Sequence, residues 1–226
     1  MERKHINLLL KVLRLLQKQG VINNLIIAGS WCIYFYKFYF HKKAPIIASL
    51  RTRDIDFFVP NPKSINRKIN LPALLKDLGF IIDFRGEEGY MRLLHPYFFI
   101  EFLVVEKGKS LNKPYSLPWG INAQRLRFLD ILSLKTIRLN IKDIKITLPH
   151  PSCFLLHKVI IFKRREKDRR AKEATQIRRL VELLEKVNQI DSLKEVYLRI
   201  HPKWRKRILN NLRELKEEKV IQALSD

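Results

Sequence analysis

Cysteine is scarce in this sequence, and its two occurrences are far apart. Cys32 and Cys153 are the only cysteines among 226 residues. Two cysteines at this separation exclude a disulfide framework and a cysteine-based zinc site. We therefore expect a reducing, cytoplasmic environment for the chain.

Long apolar runs are also missing. The nearest candidate for a membrane span, Leu25 to Phe40, is too short to cross a bilayer and contains Lys37. The N-terminal segment carries Lys11, Arg14 and Lys18 at helical spacing, and no small-residue cleavage site follows it. This segment is predicted to be an amphipathic helix rather than a signal peptide, and no membrane partner is expected.

Acidic residues are half as frequent as basic ones. Lys and Arg total 45 against 22 Asp and Glu, which gives a formal net charge of +23. The acids divide evenly between residues 1–150 and 151–226, so the excess charge is not a basic tail. Such a surface attracts polyanions, with nucleic acid the first choice and an anionic membrane the second. A proteome rich in Lys and Arg is the alternative explanation.

Apolar periodicity predicts an α/β (α+β) core in the first two thirds of the chain. Helices are predicted over residues 4–19, 31–40 and 71–78, and strands over 24–28, 53–59, 80–84, 90–94, 97–105, 135–139 and 145–148. The last two strands are predicted to form a hairpin around Asn140 to Asp143. Loops are predicted over 41–50, which contains Pro45, and over 106–122, which is rich in Gly, Pro, Asn and Lys.

The pattern changes at Pro149-His150-Pro151. Every later segment is helical in pattern, over residues 152–187, 192–200 and 203–223. The predicted domains are therefore an α/β core over 1–150 and an all-α region over 151–226.

Two aspartates lie two residues apart in the strand predicted over 53–59. Because side chains alternate in a strand, Asp54 and Asp56 project from the same face. Their mutual repulsion favours a bound cation, and Mg²⁺ takes oxygen ligands and bridges to phosphates. The alternative is a solvated outer face of an edge strand. Arg51 and Arg53 flank this strand and are candidates to neutralise phosphates.

Two further features point to phosphate chemistry. Gly29-Ser30 lies between an apolar strand and a helix, where backbone N–H groups and a hydroxyl can hold a phosphate. Glu101 lies in the apolar run YFFIEFLVV, where a lone buried carboxylate is costly. A third carboxylate beside Asp54 and Asp56 completes a two-metal site for phosphoryl transfer. No Walker-type loop, Ser/His/Asp order or His-rich metal spacing competes with this interpretation.

These motifs resemble a known group of enzymes. GSWCIYFY, LRTRDIDFFVP and the later Glu101 resemble the DNA polymerase β-type nucleotidyltransferase superfamily, and more closely its GSW/RTRDIDF-type members related to AbiEii-type toxins. The resemblance covers residues 20–180 and implies a nucleotidyltransferase-type mixed β-sheet core with flanking helices. It implies two Mg²⁺ ions, or Mn²⁺ in their place, with Asp54 and Asp56 binding both metals and Glu101 the catalytic one.

The resemblance also implies which residues bind the nucleotide. Gly29 and Ser30 would hold the triphosphate of an NTP. Lys158 and Arg165 would grip it from the long helix, where Lys158, Arg165 and Lys172 recur every seven residues and share a face. A merely solvated helical face is an equal alternative for this basic cluster.

The predicted reaction is transfer of a nucleoside monophosphate, with ATP among the candidate donors, to an acceptor hydroxyl with release of pyrophosphate. An RNA 3′ end, tRNA in particular, is the first candidate acceptor, and the net charge favours it. A small molecule or a protein side chain, as in adenylyltransferases, is the alternative. A second alternative is a non-catalytic nucleic acid-binding protein of the same fold. The toxin relatives imply an antitoxin protein as a partner.

Two tryptophans are weaker candidates for contacts with nucleic acid. Trp119 is a candidate to stack on a base or, with a stronger expectation, to cover the core. Trp204, within KWRKR, is a candidate to contact RNA or to anchor the last helix.

Overall fold

The computed structural model of the chain describes residues 3–40, 53–108 and 113–225, which cluster into two compact units. The described residues within Met1–Phe35, Ile47–Leu129 and Ile137–Leu148 form the first unit. Those within Tyr36–Ile46, Asp130–Thr136 and Pro149–Asp226 form the second. The loop predicted over 41–50, and Arg51, lie outside the described residues. No helix in the described ranges is both long and apolar enough to cross a membrane.

A mixed β-sheet forms the centre of the first unit. Its strands in the described ranges are β1 (Ile26–Ala28), β2 (Asp54–Phe58), β3 (Ile81–Arg85), β4 (Tyr90–Leu94), β5 (Phe99–Val105), β6 (Tyr115–Leu117) and β7 (Ile121–Leu126). The order is β1-β2-β5-β4-β3, and β7 pairs with both β5 and β6. β5 runs parallel to β2 and β7, whereas the other pairs are antiparallel.

The helices of the sheet region are α1 (Arg3–Lys18), α2 (Trp31–Tyr39) and α3 (Leu71–Lys76). On α1, Leu9, Val12, Leu13 and Leu16 recur at three- and four-residue spacing and are at most 1% exposed. α1 ends shortly before Gly20, whose φ of 70° is in the left-handed region. The N-terminal amphipathic helix is therefore confirmed.

A two-stranded hairpin consists of β8 (Thr136–Ile141) and β9 (Ile144–Pro149). Lys142 and Asp143 have φ of 48° and 65°, as a two-residue hairpin turn requires. Gln17 of α1 holds this turn, because its Nε2 donates to the Asp143 carbonyl at 2.8 Å and its Oε1 accepts from the Lys145 N–H at 2.7 Å. The predicted hairpin is confirmed.

The second unit is built around one buried helix. Its helices are α4 (Pro151–Ile161), α5 (Lys167–Lys186), α6 (Asp191–Leu198), α7 (Pro202–Leu215) and α8 (Glu218–Ser225). α4 is buried along almost its whole length and packs against α5, α6 and α7. Asn211 of α7 is 1% exposed and donates from Nδ2 to the Val159 carbonyl of α4 at 2.7 Å. The predicted class, a mixed-sheet core with helices in the C-terminal region, is confirmed.

The long helix predicted over 152–187 is wrong, because the chain breaks between α4 and α5. A short 3₁₀ helix covers Phe162–Arg164, and Arg165 is extended, with φ of −76° and ψ of 144°. The residues from 163 to 169 are charged throughout, so this stretch has no apolar side chain to bury. Arg170 stabilises the break by donating to the carbonyls of Arg165 and Lys163 at 3.1 and 3.0 Å. Lys158 and Arg165 therefore do not share a face of one helix.

Two other predicted boundaries also differ from the structure. The helix predicted over 203–223 divides into α7 and α8 because Lys216 adopts a left-handed φ of 58°. The loop predicted over 106–122 contains β6 and the start of β7. β7 is held by a parallel pairing with β5, which short-range pattern does not reveal.

A buried ion pair joins α4 to α5 and generates a stability prediction. Lys158 is 5% exposed, and its Nζ donates to Oε1 of Glu173 at 3.0 Å. Lys158→Met leaves a carboxylate buried without its cation, so we expect a loss of about 3–5 kcal/mol in unfolding free energy. The double variant Lys158→Met/Glu173→Leu should lose much less, because no buried charge remains. Urea unfolding measures both.

The exposed pair of Lys219 and Glu185, 3.1 Å apart, provides the control. Lys219→Met is expected to cost less than about 1 kcal/mol, since water screens this pair. A loss for Lys158→Met as small as that for Lys219→Met would contradict the prediction.

Candidate active site

Three carboxylates face the same side of the sheet. The parallel register of β2 and β5 sets Asp56 directly opposite Glu101. Asp54 is two residues earlier on β2, so its side chain has the same direction as that of Asp56. Neighbouring strands are about 4.8 Å apart, so these positions are adjacent although they are distant in the sequence. All three residues are half-buried.

The start of α2 lies against this group of carboxylates. β1 is antiparallel to β2, and Ala28 is opposite Asp56. Gly29 and Ser30 follow at once, before α2 begins at Trp31. Gly29 has φ of 69°, and a Cβ at this position would collide with Oδ2 of Asp56. Glycine therefore permits the backbone to approach Asp56 more closely than any other residue would.

An arginine that was not predicted extends the row across the sheet. The register that pairs Leu93 with Ile100 sets Arg92 of β4 next to Glu101 on the same face. Arg92 is also opposite Asp83 of β3, and its Nε donates to Asp83 Oδ2 at 3.0 Å. Its guanidinium is 5.0 Å from the ring centroid of Phe99. The sequence signal was an arginine within an apolar strand, which only the register connects to Glu101.

The surroundings of Glu101 shift the pKa of its carboxyl group. Burial raises its pKa above the ordinary value of 4.5, and Asp54 raises the pKa as well. Arg85 and Arg92 act in the opposite direction. Like charges that share a partly desolvated site favour a proton or a metal cation between them. The site therefore favours a positively charged partner.

The carboxylates are not a closed metal cage as they stand. Across residues 3–40, 53–108 and 113–225, no group of three or more His, Cys, Asp and Glu side chains is arranged to hold a metal ion. Mg²⁺ rarely needs such a cage, because one or two carboxylates with substrate phosphates and water complete its coordination. An oxygen-only donor set on one face fits this requirement. The magnesium site at Asp54, Asp56 and Glu101 stays a prediction.

The predicted nucleotide-binding cations have different surroundings. Arg53 is exposed, and its Nη2 donates to the Pro96 carbonyl at 3.4 Å. Lys158 is buried against Glu173, as described above, and Arg165 is exposed beyond the end of α4. Their roles in nucleotide binding stay predictions. Trp119 is 1% exposed, which favours the interpretation that it covers the core.

Substitution of Gly29 tests the close approach to Asp56. Alanine pays about 1–2 kcal/mol for a left-handed φ. Gly29→Ala also forces the Asp56 carboxylate to move, so we expect it to lose more unfolding free energy than a glycine-to-alanine change that alters φ alone. Gly89→Ala is the matched control, because Gly89 has φ of 67° and a Cβ added there would meet nothing within 4 Å. Equal losses in urea unfolding would show that Gly29 matters only for its φ.

The raised pKa of Glu101 predicts a pH-dependent stability. Between pH 4.5 and the raised pKa, the folded protein keeps a proton that the unfolded chain releases, so stability falls as pH rises. Glu101→Gln removes this loss. We expect the variant to be more stable than wild type above this window and equal to it below pH 4.5. Urea unfolding as a function of pH measures the difference, and a variant less stable than wild type above the window would refute it.

A family model described as Nucleotidyltransferase matches residues 7–201, which include Gly29, Asp54, Asp56 and Glu101. No curated protein matches the chain. Because the match spans most of the sequence, the chain belongs to this nucleotidyltransferase family.

Proposed function

We propose that this protein transfers a nucleoside monophosphate from an NTP to the 3′ hydroxyl of an RNA, tRNA in particular, with Mg²⁺ at Asp54, Asp56 and Glu101. Membership of the family implies nucleotidyl transfer from a nucleoside triphosphate. The metal, the acceptor and the relation to AbiEii-type toxins, with an antitoxin as partner, are parts of the proposal.

One observation carries the proposal. Asp56 is directly opposite Glu101 in the β2–β5 register, with Asp54 on the same face. A row of carboxylates of this kind is costly in a partly desolvated site unless a cation uses it. Gly29 adds a second constraint, because the backbone that precedes α2 lies against Asp56. A helix start can bind phosphate groups, and carboxylates can hold the Mg²⁺ that neutralises them, so the two together suit phosphoryl transfer.

The residues of this chain have separate tasks in the proposed reaction. The Ser30 hydroxyl and nearby N–H groups hold the triphosphate. The acceptor oxygen forms a bond to the α-phosphorus, the bond from that phosphorus to the bridging oxygen breaks, and pyrophosphate leaves. Glu101 assists removal of the proton from the acceptor hydroxyl. When bound, Mg²⁺ supplies neutralisation of phosphate charge and polarises the acceptor hydroxyl.

The net charge favours RNA as the acceptor. An excess of 23 positive charges attracts a polyanion and would repel a small cationic acceptor. The charge is spread through both halves of the sequence, so it suits a large ligand. Proteins and small molecules are the alternative acceptors that an experiment has to distinguish.

Label transfer tests the proposal directly. Each α-labelled NTP is incubated with the protein, Mg²⁺ and total tRNA. We expect label on RNA from the wild type. Label transfer should fall at least about 100-fold in Asp54→Asn/Asp56→Asn, because the isosteric amides lack the negative charge that binds Mg²⁺. Asp77→Asn/Glu87→Gln is the matched control, since it removes two exposed carboxylates outside the site.

The position of the label separates the alternatives. Label on protein or on a small compound would overturn the RNA acceptor but keep nucleotidyl transfer. Absence of label from every acceptor, in a protein that triphosphate stabilises against heat, would favour the non-catalytic alternative. Equal transfer by wild type and Asp54→Asn/Asp56→Asn would remove the carboxylates from the mechanism.

A further inference from the structure

A basic groove lies along the surface of α6 and α7. It has a volume of about 420 Å³ and is lined by Tyr197, Pro202, Arg205, Lys206, Leu209, Asn210 and Arg213. Arg205, Leu209 and Arg213 recur every four residues and therefore share one face of α7. Arg205 and Arg213 are about 12 Å apart along the helix axis at the α-helical rise of 1.5 Å per residue. We call this surface the α6–α7 groove.

Neutral groups hold the arginines of the α6–α7 groove in place. The Arg205 guanidinium is 5.7 Å from the ring centroid of Tyr197. Arg213 donates from Nη1 to Oδ1 of Asn210 at 3.2 Å. An aromatic ring and an amide orient a guanidinium without cancelling its charge. These two arginines are therefore positioned and keep their positive charge for a ligand.

Acidic residues are rare on α7. Between Pro202 and Leu215 the helix carries five Lys and Arg and a single acid, Glu214. Glu214 already pairs with Lys163, with Oε2 and Nζ 2.6 Å apart. The pKa of Arg207 is lowered by burial and then by Arg164, so further positive charge lies close to this helix. Such a concentration of like charge destabilises the free protein unless an anion binds.

From this geometry we infer that the α6–α7 groove binds the phosphate backbone of the RNA acceptor, with Arg205 and Arg213 on different phosphates. The inference rests on the proposed function for the identity of the acceptor. RNA fits better than an anionic membrane, because Ile208, Leu212 and Leu215 of α7 are buried, and the groove presents Arg205, Lys206 and Arg213 beside a single leucine, Leu209. A row of cations spaced along one helix suits a repeating chain of phosphates.

Salt-dependent binding of fluorescein-labelled tRNA tests the inference. Arg205→Gln/Arg213→Gln should weaken tRNA binding about tenfold or more at low salt. It should also make the slope of log affinity against log salt shallower, by the amount that corresponds to the loss of about two phosphate contacts. Arg205→Lys/Arg213→Lys keeps both charges and should keep the slope. Lys186→Gln/Lys219→Gln is the matched control, because it removes two exposed charges of the same unit outside the groove. Thermal unfolding confirms that each variant is folded.

The binding assay needs neither NTP nor Mg²⁺, so its failure is distinct from failure of label transfer. Unchanged tRNA affinity in Arg205→Gln/Arg213→Gln, with label transfer intact, would overturn the groove and leave the proposed function. Equal weakening in Lys186→Gln/Lys219→Gln would also overturn it, because any surface charge would then suffice. Binding of phosphatidylserine vesicles that depends on Arg205 and Arg213, without tRNA binding, would assign the groove to a membrane instead.

Discussion

The candidate site depends on one pairing, the parallel ladder between β2 and β5. Its register sets Asp56 opposite Glu101. On the other side of β2, the antiparallel pairing with β1 sets Ala28 opposite Asp56. A slip of one residue would turn a whole set of side chains to the other face. The buried Ile55 and Phe57 on the opposite face of β2 prevent such a slip, because it would expose them to water. The hydrophobic core therefore holds the acidic row in place.

The same register explains why the acidic row is tolerated in the folded chain. Arg92 lies between the carboxylates of Glu101 and Asp83, so opposite charges alternate across β5, β4 and β3. Arg92 lowers the pKa of Glu101, but burial and Asp54 raise it. This balance leaves a net preference for a further cation at the end of the row beside Asp54 and Asp56. A locally acidic site within a basic protein can thus attract a metal ion, while the basic surface attracts a polyanion.

In the helical unit, the position of a cation decides which task it can perform. Lys158 is enclosed with Glu173 and joins α4 to α5, whereas Arg205 and Arg213 lie in an open groove beside neutral partners. A buried lysine paired with a carboxylate holds its two helices together only while both charges remain, since either charge alone is costly to bury. A positioned arginine that faces solvent keeps its charge for a ligand. The sequence pattern does not make this distinction, because Lys158 is predicted to lie in one long helix over 152–187 that is rich in Lys and Arg.

By itself the sequence determined the local features: the amphipathic α1, the Asp-x-Asp strand, the Gly-Ser turn, the hairpin of β8 and β9, and the family that these motifs resemble. These follow from periodicity and from residue types with strong local preferences. The tertiary structure alone decided the partners of β5, because parallel pairing joins distant segments and leaves no short-range pattern. Tertiary pairing therefore sets Arg92 next to Glu101 and places β7 in part of a predicted loop. The tertiary structure also breaks the predicted long helix at Arg165, because the charged side chains there are not buried in the core.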